Sequence, residues 1–496
     1  MQDSFSTRAF RRAVAAVALS LWGTGNVSAM NLNLAAPWGD TCSPPQSPYL
    51  AFHSQQSENL LFVSGDTVDL LVRSGLRSVA LRWTLHRNRI VMPFRSGVAE
   101  ALPANRFRIR LATAGLPPGF YDVNVELDTG LANTDKNALL RRPVRGVCTF
   151  GWKAESMAVT ETRPADFSAF WNDAIKKLAA VPLDAKAEPV RLFGPKEIGE
   201  YNVTSACLPP DYDPSGHRAE QVESCKVSFA GPDGGRVYGW LAKPAGSGKF
   251  PAMLVLPGAG FAARPRPLEH ARHGYVALDI QVHGQDVDLP SYPRLPGYYG
   301  DFTYEPASAY YYYTIHLRCL QAVTYLASRP DVDASRIAVV GGSQGGRLSV
   351  VVAGLDARVK AAVPCIAHAA NQPHLRWVAR CNGAADAGAP GPGERLVPSD
   401  GMEVAGAPPA TADAAGRCLA YYDPMNFAPD IRCPVLLNAG LVDPVSPPFS
   451  VWAIFNRIGS ADKTLVALDG LGHDWSAEFD RRAWRWLDAR FFPARE

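Results

Sequence analysis

Apolar and polar side chains alternate along the chain from about residue 50 to residue 130, in one short run after another. The runs LRWTLHR, RFRIRLA and FYDVNVELD are separated by turn-forming residues, and apolar residues occupy every second position from Tyr121 to Leu127. A period of two is typical of strands that bury one face and expose the other. The pattern therefore predicts a small β-sandwich.

The segment LPPGFY, which ends at Tyr121, resembles the tyrosine corner of immunoglobulin-like sandwiches. We therefore assign residues 30–150 to an immunoglobulin-like β-sandwich domain. Such a domain would act as a scaffold packed against the rest of the chain or as a sugar-binding module. The scaffold is the simpler interpretation.

The periodicity changes beyond residue 150. In PADFSAFWNDAIKKLAA, residues 164–180, apolar side chains recur at helical spacing and predict a helix that docks on a core. From residue 250 onward, near-continuous apolar runs such as FPAMLVLP, IAVVGGS and CPVLLNAG alternate with helical patterns. Strands buried on both faces have such runs, so we predict that residues 151–496 form an α/β domain with a mostly parallel sheet.

One of these apolar strands leads into Gly341-Gly342-Ser343-Gln344-Gly345, and a helical pattern follows. A strand, a G-x-S-x-G segment and a helix in this order form a nucleophile elbow, the sharp turn that presents a serine at the top of a sheet. Side chains at Gly341 or Gly345 would collide with the neighbouring strand or helix. Ser343 is therefore the predicted nucleophile.

A serine hydroxyl needs a base to take its proton, and the base needs an acid to fix its tautomer. Asp443 directly follows one predicted strand and His473 lies in the loop after the next, which gives the order serine, acid, histidine. Asp469 and Asp474 are too close to His473 in sequence to orient it. His283 is the strongest competing histidine, but it precedes the elbow. We predict the triad Ser343, Asp443 and His473.

The oxyanion of a tetrahedral intermediate needs preorganised hydrogen-bond donors. The residue after the nucleophile supplies one backbone N–H in an elbow of this kind, and here it is Gln344. The second donor is expected in the loop PGAGF that follows the strand AMLVLP. We favour Ala259 by position, with Gly260 as the alternative.

The composition and charge of the chain indicate which classes of partner to expect. The chain has 496 residues, of which 47% are hydrophobic and 20% charged, and its net charge of +3 comes from 50 basic and 47 acidic residues spread along the sequence. This composition is typical of a globular protein of more than one domain. Without a basic stripe, nucleic acid is not an expected partner.

The N-terminus has the pattern of an export signal. Basic residues precede the apolar run AVAAVALSLW, and the small residues VSA end at position 29. The apolar run is much shorter than the ~20 residues of a spanning helix. We expect residues 1–29 to be a signal peptide and the mature chain to begin at Met30, without a membrane span. The protein is then exported, to the periplasm or the medium.

Nine cysteines in an exported chain make disulfides plausible, and the odd number leaves at least one thiol free. The pairs expected by position are Cys42 with Cys148, Cys207 with Cys225, and Cys381 with Cys418. The other three cysteines lie in apolar patterns and are expected to be free. The cysteines and histidines form no metal-binding motif, so we expect no metal and no cofactor.

Several segments resemble the acetyl xylan esterase and cephalosporin C deacetylase family of α/β-hydrolases. They are DFSAFW, GGSQGG, YYDPMNFAPDIRCPVLLNAGLVDPVSPP and GHDW, and the resemblance runs from about residue 164 to the C-terminus. It implies that Ser343, Asp443 and His473 remove acetyl groups from sugar hydroxyls. The substrate would then be a small-molecule or oligosaccharide ester, such as acetylated xylan or xylo-oligosaccharides.

The chain departs from the family pattern at two motifs, and at one of them Asp474 stands where the family usually has Glu after the catalytic histidine. The family usually has Arg-Gly-Gln where this chain has His283-Gly284-Gln285. We take His283 and Gln285 as candidate substrate-binding residues, with the role of the usual arginine altered. Single-domain members of the family assemble as ring-like hexamers, and the extra β domain leaves the oligomeric state of this chain open.

Three other functions compete with a carbohydrate deacetylase. An esterase of another specificity would use the same triad. A serine peptidase of the prolyl oligopeptidase type usually has a GGSYGG-like elbow and an N-terminal propeller of several hundred residues, which this chain lacks. A carbohydrate-binding protein with a degenerate hydrolase domain would be expected to have lost at least one member of the triad.

Overall fold

The chain folds into an N-terminal β-sandwich and a C-terminal α/β domain. The computed structural model describes residues 50–492 apart from 77, 79, 91–93, 129–143, 206–213, 261, 293–302, 377 and 379–412. The predicted signal peptide therefore lies outside the described residues. In the described part of the chain, no helix has both the length and the apolar character needed to cross a bilayer.

The sandwich consists of two sheets. Its strands are β1 (Leu50–His53), β2 (Leu61–Phe62), β3 (Thr67–Ser74), β4 (Ala80–Arg87), β5 (Arg95–Val98), β6 (Glu100–Leu102), β7 (Arg106–Ala112), β8 (Gly119–Asp128) and β9 (Val144–Trp152). One sheet has the order β1-β3-β7-β6 and the other β2-β9-β8-β4-β5. Buried side chains of both sheets belong to one hydrophobic core.

The alternating pattern seen in the sequence is the burial pattern of the strands. In β3, Val68, Leu70 and Val72 are fully buried while the intervening residues are partly exposed. The Tyr121 hydroxyl donates a hydrogen bond of 2.6 Å to the Pro117 carbonyl, as in a tyrosine corner. The β-rich prediction is confirmed, and the immunoglobulin-like assignment stays a prediction.

The second domain is built on one large mixed sheet. Its strands are β10 (Lys186–Ala187), β11 (Arg191–Phe193), β12 (Val222–Ala230), β13 (Arg236–Pro244), β14 (Phe250–Leu256), β15 (Val276–Gln281), β16 (Val332–Gly342), β17 (Val359–Cys365), β18 (Val435–Gly440) and β19 (Lys463–Leu468). The order is β10-β12-β13-β15-β14-β16-β17-β18-β19, and β11 also pairs with β12. From β15 to β19 neighbouring strands are parallel, while β12 and β13 are antiparallel to their neighbours. This is an α/β-hydrolase fold.

Helices cover this sheet and connect its strands. They are α1 (Phe167–Ala179), α2 (Pro195–Ser205), α3 (Leu268–Arg272), α4 (Tyr311–Ala327), α5 (Gln344–Leu355), α6 (Ala414–Ala420), α7 (Pro424–Phe427), α8 (Pro448–Arg457) and α9 (Ala477–Phe491). Helix α1 docks as its periodicity predicted, since the rings of Phe167 and Phe427 lie 4.9 Å apart. Strand β18 is buried at every position, which explains its continuous apolar run.

The two domains are in direct contact. The ring of Phe120 on β8 lies 4.7 Å from the ring of Trp452 on α8. Val147 on β9 forms a small buried cluster with Val442, in the loop after β18. The sandwich therefore packs against the side of the α/β domain where β18 ends.

The described cysteines are all free thiols, including Cys148, Cys225 and Cys418, for which disulfides were expected. The partners predicted for them lie outside the described residues. Burial raises the pKa of the Cys148 thiol far above its ordinary value, because the thiolate would lose its hydration inside the sandwich. Cys148 therefore packs as a small apolar side chain.

Buried histidines make the fold sensitive to acid. Burial is the largest cause that lowers the pKa of several of them: His273, His283, His316, His368 and His374. Such a group stays neutral in the folded chain below pH 6.5, where the unfolded chain binds a proton, so the free energy of unfolding falls as pH falls. From about pH 7.5 to about pH 5.5 we expect a loss of about 1 kcal/mol for each group.

Urea unfolding at the two pH values measures this loss. Burial also raises the pKa of the Asp423 carboxyl, to about 6, and that of Asp279. These carboxyls oppose the loss only in part, because the loss is summed over five histidines. His316→Gln should reduce the pH dependence, whereas replacement of the exposed His53 should not. An unfolding free energy that is equal at both pH values would contradict the prediction.

Candidate active site

Ser343 lies in a sharp turn between β16 and α5. Its backbone has φ 57° and ψ −116°, a strained conformation for a residue with a side chain. The turn is tight because a Cβ on Gly341 would lie 2.6 Å from the Leu256 carbonyl oxygen, and one on Gly345 only 2.2 Å from it. The glycines thus let the elbow press against the end of β14, as the sequence predicted.

The glycines of the elbow differ in the space around them, which gives a matched pair of substitutions. In Gly345→Ala the new methyl group would overlap backbone that cannot rotate away, so we expect a loss of about 3 kcal/mol or more in unfolding free energy. A Cβ on Gly342 meets no atom within 4 Å, so Gly342→Ala should cost less than about 1 kcal/mol. Thermal unfolding of both variants tests this, and equal losses would contradict it.

Ser343, His473 and Asp443 form a continuous hydrogen-bonded chain. His473 Nε2 lies 2.9 Å from Ser343 Oγ, and His473 Nδ1 lies 2.9 Å from Asp443 Oδ2. Asp443 follows β18 and His473 follows β19, so both come from the carboxyl ends of parallel strands next to one another. The structure therefore brings together the three residues that the sequence singled out.

The Asp443 carboxylate is held rigidly. It is fully buried, and its Oδ1 accepts hydrogen bonds of 2.8 Å from the backbone N–H groups of both Val445 and Ser446. Oδ2 is thereby turned toward His473. Asp474, by contrast, is exposed and caps its own turn by accepting from the Trp475 N–H.

The loop predicted to supply the second oxyanion donor lies beside the elbow. A Cβ on Gly258 would lie 3.8 Å from the Gly342 carbonyl oxygen. The Gln344 side chain donates to the Gly258 carbonyl at 3.4 Å and accepts from the Tyr312 hydroxyl at 2.9 Å. Gln344 therefore joins the two segments that carry the predicted donors, its own N–H and that of Ala259 or Gly260.

His283 belongs to the support of this loop. A hydrogen bond of 2.6 Å joins its Nδ1 to the Tyr311 hydroxyl, and the ring also bonds the Gly260 backbone. Burial, reinforced by nearby arginines, lowers the pKa of His283 to about 3, so the ring is neutral at neutral pH. Gln285 is half-buried in the next turn. Substrate binding by either residue stays a prediction.

One buried histidine beside the triad was missed from the sequence. The backbone N–H of His368 donates to the Ser343 carbonyl at 3.2 Å, and a hydrogen bond of 3.1 Å joins the ring Nδ1 to the Val445 carbonyl. Burial, reinforced by the charge of His473, lowers the pKa of His368 to about 3. Its position in the sequence could have indicated a place at the site. His368 comes just after β17, at the carboxyl edge of the parallel sheet, where ligands bind in such folds.

A second cluster, away from the elbow, has the donor set of a metal site. Possible ligand atoms of His217, Glu269 and His273 lie within 4.8 Å of one another. However, Glu269 Oε1 already accepts from Asn202 at 2.7 Å and from Arg272 at 3.1 Å, and its Oε2 pairs with His217 at 2.7 Å. Because Arg272 already balances the only carboxylate, we interpret the cluster as a structural ion pair.

Much of the chain is similar to known proteins. A family model described as acetyl xylan esterase (AXE1) matches residues 193–387 and 402–490, which include the elbow, Asp443 and His473. The acetyl esterase Axe7A of Xylanibacter ruminicola is 27% identical over 388 residues, which cover 76% of this chain and 75% of that protein.

Two solved structures are similar to about two thirds of this chain. The acetyl xylan esterase from Paenibacillus sp. R4 is 28% identical with a TM-score of 0.49, over 68% of this chain and 98% of that one. Acetyl xylan esterase 1 from Thermoanaerobacterium sp. JW/SL YS485 is 22% identical with a TM-score of 0.48, over 67% of this chain and 96% of that one.

Proposed function

Because the chain belongs to the acetyl xylan esterase family and is a carboxylic ester hydrolase, we propose that it removes acetyl groups from acetylated carbohydrates through an acyl-enzyme on Ser343. Acetylated xylan and xylo-oligosaccharides are the substrates that the family suggests. The observation that carries the proposed mechanism is the hydrogen-bonded chain from Ser343 through His473 to Asp443, with both distances at 2.9 Å.

In the first half of the proposed reaction, His473 Nε2 takes the proton from Ser343 Oγ as Oγ attacks the ester carbonyl carbon. Asp443 accepts from Nδ1 and stabilises the imidazolium that forms. The tetrahedral oxyanion accepts hydrogen bonds from the Gln344 N–H and from the N–H of Ala259 or Gly260. When the intermediate collapses, His473 gives its proton to the sugar oxygen, which leaves as a hydroxyl.

The second half repeats these steps with water. His473 removes a proton from a water molecule, which attacks the acetyl carbon of the ester on Ser343. The same donors hold the second oxyanion. Collapse breaks the bond to Ser343 Oγ, His473 returns the proton to that oxygen, and acetic acid leaves and loses its remaining proton to solvent.

The competing functions differ in what they require of this site. A degenerate, purely binding domain is opposed by the complete set of hydrogen bonds, since loss of any member would break the chain. An esterase for longer or aromatic acids would use the same residues, and only the substrate separates it from a carbohydrate deacetylase. A peptidase would release an amine from a peptide bond in place of a sugar hydroxyl.

A substrate panel tests the proposed specificity. The full chain is assayed on 4-nitrophenyl acetate, butyrate and octanoate, on acetylated xylan and on a peptide substrate. We expect kcat/KM to be highest for acetyl esters and acetate to be released from acetylated xylan. Turnover restricted to octanoate, or to the peptide, would keep the serine mechanism and overturn the proposed substrate class.

The cellular location of the protein is also part of the proposal. We propose that residues 1–29 direct export, because basic residues precede a short apolar run and small residues end it. N-terminal sequencing of the protein from the periplasm or the medium should begin at Met30. A chain that begins at Met1 and stays in the cytoplasm would contradict this assignment.

A further inference from the structure

A residue of the sandwich reaches the loop that carries Asp443. The turn after β4 presents Arg89, whose Nη2 donates to the carbonyl of Leu441 at 3.3 Å and to the carbonyl of Asp443 at 3.2 Å. The Leu441 carbonyl lies two residues before the predicted catalytic acid, and the Asp443 carbonyl belongs to the acid itself. The contact joins the two domains at the active site, some 350 residues apart in sequence.

Arg89 is itself held in place from within the sandwich. Its backbone N–H donates to Asp122 Oδ2 at 3.1 Å, and its guanidinium Nε lies 3.6 Å from Asp122 Oδ1. Thr149 donates to the same carboxylate at 2.7 Å. The Arg89 and Asp122 side chains are only 8% and 1% exposed, so the ion pair is shielded from water and the guanidinium has a balanced charge.

The backbone of the turn adds to this rigidity. Asn88 and Arg89 both have positive φ, 48° and 67°, a conformation that non-glycine residues keep only when their surroundings impose it. Two hydrogen bonds to Phe120 hold Asn88 in this conformation. The Asn88 N–H donates to the Phe120 carbonyl at 2.9 Å, and Asn88 Oδ1 accepts from the Phe120 N–H at 3.0 Å. The turn therefore projects Arg89 as a fixed donor toward the other domain.

The loop that receives these hydrogen bonds sets the position of the acid. Within the α/β domain, the Asp443 N–H bonds the Gly440 carbonyl at 3.2 Å and the Val442 N–H bonds the Leu471 carbonyl at 3.2 Å. In these two bonds the loop donates its N–H groups. Arg89 donates to the loop carbonyls of Leu441 and Asp443, which as buried acceptors need donors. A small displacement of this backbone would carry the carboxylate away from His473 Nδ1.

We propose that Arg89 is a positioning residue that fixes the catalytic-acid loop, so that the sandwich is a working part of the active site. The inference rests on the proposed function, because it takes Asp443 as the acid of the triad. In this role Arg89 acts through the backbone of the acid loop and does not contact the substrate. Loss of Arg89 should therefore lower kcat and leave KM nearly unchanged.

Three variants of the full chain test the proposal. Arg89→Met removes the donors while keeping an unbranched side chain, and Arg89→Lys keeps one charged donor group. The matched control is Arg87→Met, because Arg87 is equally buried on the same hairpin but donates to the Pro118 carbonyl inside the sandwich. All three are expected to lose some thermal stability, which by itself distinguishes nothing.

The kinetic outcome separates positioning from simple packing. On 4-nitrophenyl acetate we expect Arg89→Met to lower kcat by about 10- to 100-fold with KM changed by less than about twofold, since misplacement of about 1 Å has effects of this size. Arg89→Lys should recover part of the loss, and Arg87→Met should stay within about twofold of the parent kcat. Unchanged kcat in Arg89→Met, or equal losses in Arg89→Met and Arg87→Met, would overturn the proposal.

A second readout does not depend on any ester. The His473 Nδ1 proton, hydrogen-bonded to Asp443 Oδ2 at 2.9 Å, should give a downfield NMR signal that reports this hydrogen bond directly. We expect the signal to move or broaden in Arg89→Met and to persist in Arg87→Met. If the parent chain hydrolyses no ester, the proposed function fails, while this signal still decides whether Arg89 positions the acid.

Discussion

Ser343→Ala is expected to lower kcat for hydrolysis of acetyl esters by about 10⁵-fold, because removing the nucleophile of a triad leaves only binding and oxyanion stabilisation. The side chain of Ser343 makes one hydrogen bond within the triad, to His473 Nε2 at 2.9 Å, and the alanine would keep the same backbone. Thermal stability should therefore change little. Initial rates on 4-nitrophenyl acetate at saturating substrate measure the effect.

A serine on the helix that follows the elbow provides the control for this variant. Ser349 is fully buried in α5 and donates to the Gly345 carbonyl at 2.8 Å. Ser349→Ala removes a hydroxyl without touching the hydrogen-bonded chain, so its kcat should remain within about threefold of the parent. Substantial turnover by Ser343→Ala would mean that another residue is the nucleophile.

The second large effect is expected for Asp443→Asn, a drop of about 10⁴-fold in kcat near pH 7. The two N–H groups of Val445 and Ser446, both at 2.8 Å, would select the amide oxygen and turn the amide NH₂ toward His473. Nδ1 would then accept a hydrogen bond and the proton would move to Nε2. A ring in this tautomer cannot take the proton of Ser343.

The exposed neighbour of the base supplies the matched control. Asp474→Asn changes the same functional group next to His473 in sequence, but Asp474 faces solvent, so kcat should change by less than about twofold. Rates for both variants are measured on the same ester. If Asp443→Asn kept more than about a tenth of the parent activity, Asp443 would not be the residue that fixes the tautomer of His473.

The elbow and its partners could be predicted from the sequence because their signals are local. Ser343 is marked by a strand, closely spaced glycines and a helix, and Asp443 and His473 each follow an apolar run that is a strand of the sheet. Strand ends of a parallel sheet meet at one edge, so order along the chain was enough to bring the three together. The two-residue periodicity likewise placed the β-rich domain.

Contacts between distant elements left no such signal. His368 lies in a loop that contacts α5 at Gly346 and α8 at Ser450, and Arg89 belongs to a turn in another domain. Nothing in the spacing of Arg89 relates it to Leu441 or Asp443. The sequence also did not show that Cys148 and Cys225 are free thiols. The spacing of cysteines does not reveal which of them a strand buries without a partner cysteine.

The two-domain contact also bears on the role of the sandwich. The sequence left a scaffold and a sugar-binding module as alternatives. The ring contact of Phe120 with Trp452 and the cluster of Val147 with Val442 favour the scaffold interpretation, since these residues face the α/β domain. The Arg89 proposal extends that role from support of the fold to support of the acid.

Acetate release from acetylated xylan, followed side by side for the full chain and for Ser343→Ala, is the first experiment to make on the role of Ser343 in deacetylation. We expect steady release by the full chain and release by the variant that is indistinguishable from buffer alone. Equal release by both would contradict the role of Ser343. No release by the full chain from acetylated xylan or acetylated xylo-oligosaccharides would contradict the proposed deacetylation of carbohydrates.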